Sequence, residues 1–538
     1  MHDLKQLGRD LQQPGRSPVY ASNAMVSTSH PLSTTAALDV LRKGGNAVDA
    51  AIAAVSVQCV VEPSSTSVGG DCFCLYLPAD SKTPIAINGS GRAPKRLSAD
   101  WLIANGFDTI PQQSPHSVTV PTAVDAWVNL NKDYGSKPLG DLFEYAIGYA
   151  NDGYPVGQRV AFDFNNTSEL IKGDQELSDL FLVNGKTLPI GFLHKQPNLA
   201  KTLAEIAKKG REGFYSGWVV DDILAKLTAL GGLHQKDDFD AAIANYVTPI
   251  SSEFRGHKVW QCPPNGQGVI ALLLLNMVSE ISCFGNDPIN LERIHYEIEA
   301  GKLAYRDRAA ILADPEFSSV PVQQLLSQEY ASELVSQIKA DRPISPLPPS
   351  SLPRHSSTVY ITVIDKDRNA CSLINTVYNA FGSGLLAPKS GVLLHNRGMG
   401  FVLEEGHPNR LEPSKRPLHT IIPSIVTKDD NLVMSYGVMG GEYQAFGHMQ
   451  FLSRYFDYGL DIQMAQDKPR FFPDPFSDQI DLETTIPQSI QHALATMGHK
   501  IRQAKIPIGG SQAIYLNRET NVLSAGSDPR KDGMAAGF

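Results

Sequence analysis

From Arg342 to Ser357 the chain reads RPISPLPPSSLPRHSS, with prolines at 343, 346, 348, 349 and 353. Each proline fixes its own φ and lacks a backbone N–H, so the stretch joins neither a helix interior nor a central strand. It reads as an exposed connection that divides the polypeptide into a long part, residues 1–357, and a shorter part, residues 358–538. The connection ends abruptly. Thr358 to Ile364 (TVYITVI) alternates β-branched and aromatic residues, DKDRN is a turn, and Ala370 to Thr376 (ACSLINT) is a second strand, so a β-hairpin starts directly after the linker. A turn symmetric about Asp367 pairs Ile364 with Ala370 and Thr358 with Thr376, which sets two threonine hydroxyls face to face. A slip of one residue destroys that pairing.

Upstream, helix and strand signals alternate. Ser33 or Thr34 caps a helix that runs to Lys43 and stops at Gly44-Gly45, and Asn46 begins a second, NAVDAAIAAVSVQCVV, apolar nearly all round and therefore buried. CFCLYL, residues 72–77, reads as a central strand. Further helical patterns cover Thr122 to Tyr134, Leu139 to Asn151, Asn198 to Lys209 and Leu291 to Ala313. Helices packed over sheets are expected, and 42% hydrophobic residues in 538 supply a large core.

Composition excludes several partners. The net charge is −9 and the 47 Lys and Arg are scattered, so no basic stripe exists to track a phosphate backbone. The longest apolar run, Val269 to Leu275, falls far short of the roughly 20 residues a membrane helix needs. Neither nucleic acid nor membrane is an expected partner. The amino terminus, MHDLKQLGRDLQQPGRSP, is polar where a secretory signal carries an apolar stretch, so cytoplasmic residence is expected. The six cysteines (Cys59, Cys72, Cys74, Cys262, Cys283, Cys371) show no CxxC spacing and read as reduced, mostly buried thiols. Cys72 and Cys74 share one strand face and read as core packing, not as metal ligands.

No GxSxG elbow, HExxH, phosphate-binding GxxxxGK[ST] loop or GxGxxG fingerprint occurs. Glycine pairs at 69–70, 231–232, 440–441 and 509–510 mark turns or close backbone approaches when taken singly. The hairpin says more, because a strand-initial threonine behind a linker is a place where scission creates a free amino terminus. Cleavage between Ser357 and Thr358 gives Thr358 an α-amine with a pKa of about 7.7–8.0, which can take the proton of its own hydroxyl. Such catalysis requires no histidine, metal or organic cofactor.

The segments AMVSTSHPLSTTAALDVLRKGGNAVDAAIA, VPTAVDAWVNLNKDYGSKPL, HYEIEAGKLAYRDRA, STVYITVIDKDRNA, FGSGLLAPKSGVLLHN, KRPLHTIIPSIV, GVMGG and AGSDPRKDGMAAGF, in that order, resemble the γ-glutamyltransferase (γ-glutamyltranspeptidase) family of amino-terminal-nucleophile hydrolases. The resemblance runs from about Met25 to Phe538. It implies an α+β fold, a four-layer αββα sandwich, formed by a precursor that cuts itself before a threonine into two subunits that stay together. A dimer of such heterodimers is compatible with it. Carried over residue by residue, Thr358 is the nucleophile, Thr376 its hydrogen-bonding partner, and Gly440 and Gly441 the pair whose N–H groups form the oxyanion hole. The implied substrate is a small γ-glutamyl amide such as glutathione.

The sequence departs from the family pattern in the substrate pocket. Ser90 stands where typical members have the arginine for the α-carboxylate, with Arg92 two residues later as its substitute. Tyr378, Arg397 and Gly400 replace the groups that accept from the α-ammonium, and His419 and Thr420 replace two serines. The stretch from Phe401 to Lys415 is too short for the usual lid. A pocket with Arg92 and Arg397 and no acid implies weak γ-glutamyl turnover. The alternatives are another amide with an anionic acyl part, of oxamate or glutaryl (cephalosporin) type, or a catalytically silent binding protein.

Overall fold

The hairpin of Ser357–Ile364 and Ala370–Tyr378 forms the middle of a seven-stranded sheet. The computed structural model describes residues 15–282, 284–344, 347, 350, 352 and 357–538. In spatial order the sheet is Met534–Gly537, Met25–Thr28, the two hairpin strands, Asp71–Leu77, Ile85–Gly89 and Asn245–Val247. Both sides of the 357/358 boundary therefore contribute strands to one sheet, so that boundary is a chain position and not a spatial divide. A second seven-stranded sheet runs Val19–Ala21, Val522–Ser527, Gly510–Asn517, Asn431–Met439, Pro423–Lys428, His257–Gln261 and Ile250–Phe254. Every pairing within these two sheets is antiparallel.

Three apolar cores fill three gaps between four layers, as expected for an αββα sandwich. Phe73, Leu75, Tyr360 and Ile374 of the first sheet meet Trp260, Ile425, Met439 and Ile514 of the second. The opposite face of the first sheet, with Cys72, Cys74, Ile361 and Leu373, is covered by Ala47–Val61 and its helical neighbours. Gly268–Ser279, Leu291–Ile311 and Tyr443–Phe456 cover the second sheet. Val269 to Leu275 thus belongs to a buried core helix, and among the described residues no helix is long and apolar enough to cross a membrane.

The expected elements form with small shifts. Ala47–Val61 starts on the Asn46 capping box and is buried on every side. Helices over 123–134, 139–152, 197–209 and 291–311 match the expected spans within two residues. The first helix begins earlier than Ser33 or Thr34, at Pro31, with the His30 ring accepting from Leu32 N–H. Proline at the first helical position needs no hydrogen-bond partner, which moves the start upstream. Five cysteines are buried free thiols, while Cys283 and most of the Pro-rich linker lie outside the described residues.

Buried histidines set the acid limit of this fold. Burial lowers His30, His194 and His234 to about 4, and His419 and His448 to about 3, from an ordinary 6.5. The unfolded chain takes up these protons near 6.5 and the folded chain does not, so stability present at neutral pH is lost as pH falls. Each group's contribution falls progressively below pH 6.5 until its own folded pKa is reached. Glu62, raised by burial to about 7, has the opposite sign and offsets one of them. Urea unfolding at stepped pH should show the midpoint falling steeply between pH 6.5 and 4; a flat profile there contradicts this reading.

Candidate active site

Hydrogen bonding is regular from Val359↔Asn375 to Ile364↔Ala370, and the register then shifts so that Ser357 faces Tyr378. Thr358 occupies this irregularity opposite Thr376. An extra residue in one strand leaves the ladder and re-aims its neighbours. Here it turns the Ser357 carbonyl toward two hydroxyls: Thr358 Oγ1 donates to that oxygen at 2.5 Å and Thr376 Oγ1 donates to it at 2.8 Å. The two threonine oxygens are 3.4 Å apart. Tyr378 N–H donates to Thr376 Oγ1 at 2.9 Å and fixes its direction, while Ser357 Oγ donates to Ser64 O at 3.0 Å. Tyr378 holds φ at 78°, a conformation rarely adopted by a bulky residue and met mostly where surrounding structure imposes it.

Gly440 and Gly441 join the strand Asn431–Met439 to the helix Tyr443–Phe456. Their φ values are 120° and 58°, and a Cβ on Gly440 would meet Gly509 Cα at 2.6 Å. Gln444, whose N–H donates to Gly441 O at 3.2 Å, sends its side-chain amide to Thr358 Oγ1 at 3.3 Å. The glycine turn therefore lies one residue contact from the threonine. Gly440 and Glu442 line a cavity of about 880 Å³ together with Asn379, Met399, Arg159 and Lys531. Thr358 is only 1% exposed while its bond to Ser357 is intact.

Four of the five expected substrate residues come together beneath this site. Arg397 lies over the Tyr378 ring at 4.0 Å, donates to Thr420 Oγ1 at 3.2 Å and stands 3.8 Å from Asp71. Its Nε and Nη2 are buried without a hydrogen-bond partner among the described residues, and burial lowers the guanidinium to about 10. His419 lies 3.0 Å from Asp71 and packs against the Phe73 ring at a tilt; burial and Arg397 lower it to about 3, so it is neutral. Against the cost of burial, His395 and His419 hold the Asp71 carboxyl well below the usual range.

Arg92 stands elsewhere. Its guanidinium bonds Glu316 at 2.6 Å and Ser414 O at 2.9 Å, with Asp314 at 3.7 Å, on the wall of a separate small cavity. Ser90 is buried and tied to Asn88 and Asn265. Arg92 is thus neutralised where a substitute for the family arginine was expected.

The expectation of an acid-free pocket also fails. Asp71 is paired with Thr376 across the neighbouring strand, and Glu442 follows the glycine pair directly. Glu442 is held by Arg308, leaves its Oε1 unpartnered, and acts electrostatically on both Tyr378 and Arg397. Both acids follow glycine pairs in sequence, which was the signal available. Gly70 allows this approach, since a Cβ there would meet Thr376 O at 2.3 Å.

The family model described as gamma-glutamyltranspeptidase matches residues 33–538. The glutathione hydrolase-like YwrD proenzyme of Bacillus subtilis (strain 168) is 36% identical, over 97% of this chain and 99% of the relative. The oxamate amidohydrolase proenzyme of Klebsiella pneumoniae is 31% identical, over 96% and 99%. Among solved structures, the cephalosporin acylase from Bacillus halodurans superposes with a TM-score of 0.91 at 38% identity, over 100% and 99%. A match this long, on an αββα sandwich shared with an amino-terminal-nucleophile hydrolase, places the chain in the gamma-glutamyltranspeptidase family of enzymes.

Proposed function

We propose that the protein is an amide hydrolase and acyl transferase whose nucleophile, Thr358, is released by self-cleavage of the Ser357–Thr358 bond, and that its acyl donor is a γ-glutamyl amide. The observation that carries this reading is the pair of hydroxyls on the Ser357 carbonyl oxygen. Thr376 polarises that carbonyl and Thr358 Oγ1 attacks its carbon; the acyl group passes from nitrogen to oxygen, and water releases the Ser357 carboxylate. The new Thr358 amine then serves as base for the same hydroxyl on external amides. Charge that develops on the substrate oxygen is met by the N–H groups of Gly440 and Gly441, at the head of a helix. Cytoplasmic residence, with a small-molecule substrate, belongs to this proposal.

Substrate choice follows from two unpartnered groups. Arg397 is fully buried, yet its Nε and Nη2 lack hydrogen-bond partners among the described residues, and a guanidinium suits a carboxylate. Glu442 lines the cavity and its buried Oε1 is an unpartnered acceptor, which suits an α-ammonium. A second reading, an amidohydrolase for glutaryl or oxamate-type acyl groups, rests on Arg397 alone and on the relatives named for oxamate and cephalosporin.

γ-Glutamyl-p-nitroanilide and glutaryl-p-nitroanilide differ only in the α-ammonium. A charge-assisted hydrogen bond worth about 1.5–3 kcal/mol predicts that kcat/KM favours the γ-glutamyl compound by about 10- to 150-fold. Glu442→Gln should erase that preference without lowering glutaryl turnover to the same degree. Equal or better turnover of the glutaryl compound by the unmodified enzyme would overturn the γ-glutamyl assignment in favour of the second reading.

A further inference from the structure

Three polar side chains outside the Thr358 site converge beneath the start of the linker. His295 and Glu299 stand one turn apart on the helix Leu291–Ile311, and His499 precedes the strand Lys500–Gln503. All three are buried, and one donor atom from each lies within 4.8 Å of the others. His295 Nε2 is 2.6 Å from the carbonyl oxygen of Lys339. A carbonyl only accepts, so Nε2 carries the proton, and in the neutral tautomer Nδ1 is an acceptor. The 2.8 Å contact between His295 Nδ1 and His499 Nε2 therefore makes His499 the donor. That leaves the neutral His499 ring with a lone pair on Nδ1, 3.8 Å from Glu299 Oε1 and without a hydrogen-bond partner among the described residues. Two acceptors face each other across this gap, and burying an acceptor unmatched is costly.

We propose that this gap is a binding site for a divalent transition-metal cation of the zinc class, held by His499 Nδ1 and Glu299 Oε1, with His295 as the positioning residue. A 3.8 Å separation accommodates a cation about 2.0–2.1 Å from each atom at an open angle. Imidazole with a single carboxylate suits zinc rather than the oxygen-only sites of calcium or magnesium. The relay from His499 Nε2–H to His295, and from His295 Nε2–H to Lys339 O, fixes the tautomer that leaves Nδ1 free for the metal. Remaining coordination positions go to water from an adjoining cavity of about 530 Å³, whose wall includes His499. Lys302 Nζ, 2.7 Å from Glu299 Oε1, is the competing cation. Its side chain is 19% exposed and lines the same cavity, so it can withdraw into water. Glu299 Oε2 accepts from Ile344 N–H at 2.6 Å, so an ion here ties the helix and the 499 turn to the first residues of the linker.

Isothermal titration of the full-length, metal-stripped protein with Zn²⁺ alone, with thermal unfolding in parallel, tests the proposal. Saturable binding of one ion per chain is expected, together with a higher unfolding temperature, because a ligand that binds only the folded state stabilises it. His499→Gln should abolish binding and His295→Gln should weaken it by about 10- to 100-fold. Lys302→Met should tighten binding, a gain that a purely structural role for this ammonium does not produce. Absence of saturable binding by the unmodified protein, or affinity unchanged in both His499→Gln and Lys302→Met, overturns the site. Should His499→Gln fail to fold, the unmodified protein and Lys302→Met decide between the two outcomes.

Discussion

Thr358→Ala is expected to remain one uncut 538-residue polypeptide and to show no turnover of any amide substrate. Both losses have one cause. In the proposed mechanism the Thr358 oxygen is the attacking atom in self-cleavage and again in catalysis, while the Thr376 hydroxyl, also hydrogen-bonded to the Ser357 carbonyl oxygen, polarises it. Thr376→Val keeps the nucleophile and removes one donor from the scissile carbonyl. It should cleave slowly but completely, by analogy with loss of a single oxyanion donor, at about 10²- to 10³-fold reduced rate. A denaturing gel sampled over time separates the two variants. Full processing of Thr358→Ala would eliminate the mechanism.

Gly440→Ala should do the reverse of a processing mutant: it should be cut normally and turn over poorly. The added methyl would sit 2.6 Å from the backbone of Gly509, and the residue's φ of 120° is strained for any side chain, so the turn must shift. That turn presents the N–H groups proposed to receive the substrate oxyanion, whereas the precursor's own carbonyl is polarised by Thr376. Turnover is expected to fall about 10²- to 10³-fold while scission proceeds, and scission itself reports that the variant has folded. Single-turnover kinetics on the cut protein measure the effect. Turnover within a fewfold of the unmodified enzyme would remove Gly440 from the proposed oxyanion hole.

The hairpin was the most legible part of this molecule, because alternating residues around a short turn leave one register that buries the correct faces. From Val359 to Ile364 the observed pairs are those of a turn centred on Asp367. The irregularity opposite Thr358 was not legible: alternation specifies a regular ladder, and nothing in ACSLINTVY announces that this strand carries an extra residue at Thr376–Val377. Buried helices were equally plain, since a segment apolar all round has only an interior to occupy. The cluster around Arg397 was the least legible. Its acids arrive on different strands, Asp71 beside Thr376 and Glu442 beyond the glycine turn, and position along the chain does not reveal that they converge on Arg397. Nor does the nearness of Arg92 to Ser90 in sequence reveal its ion pairs with Asp314 and Glu316, more than two hundred residues away.

In the proposed mechanism the backbone breaks between Ser357 and Thr358 to create the nucleophile. Amino-terminal sequencing of the smaller fragment from active protein tests it most directly. A single sequence beginning Thr-Val-Tyr is expected. A different first residue, or full amidase activity from a chain that is never cut, would contradict it.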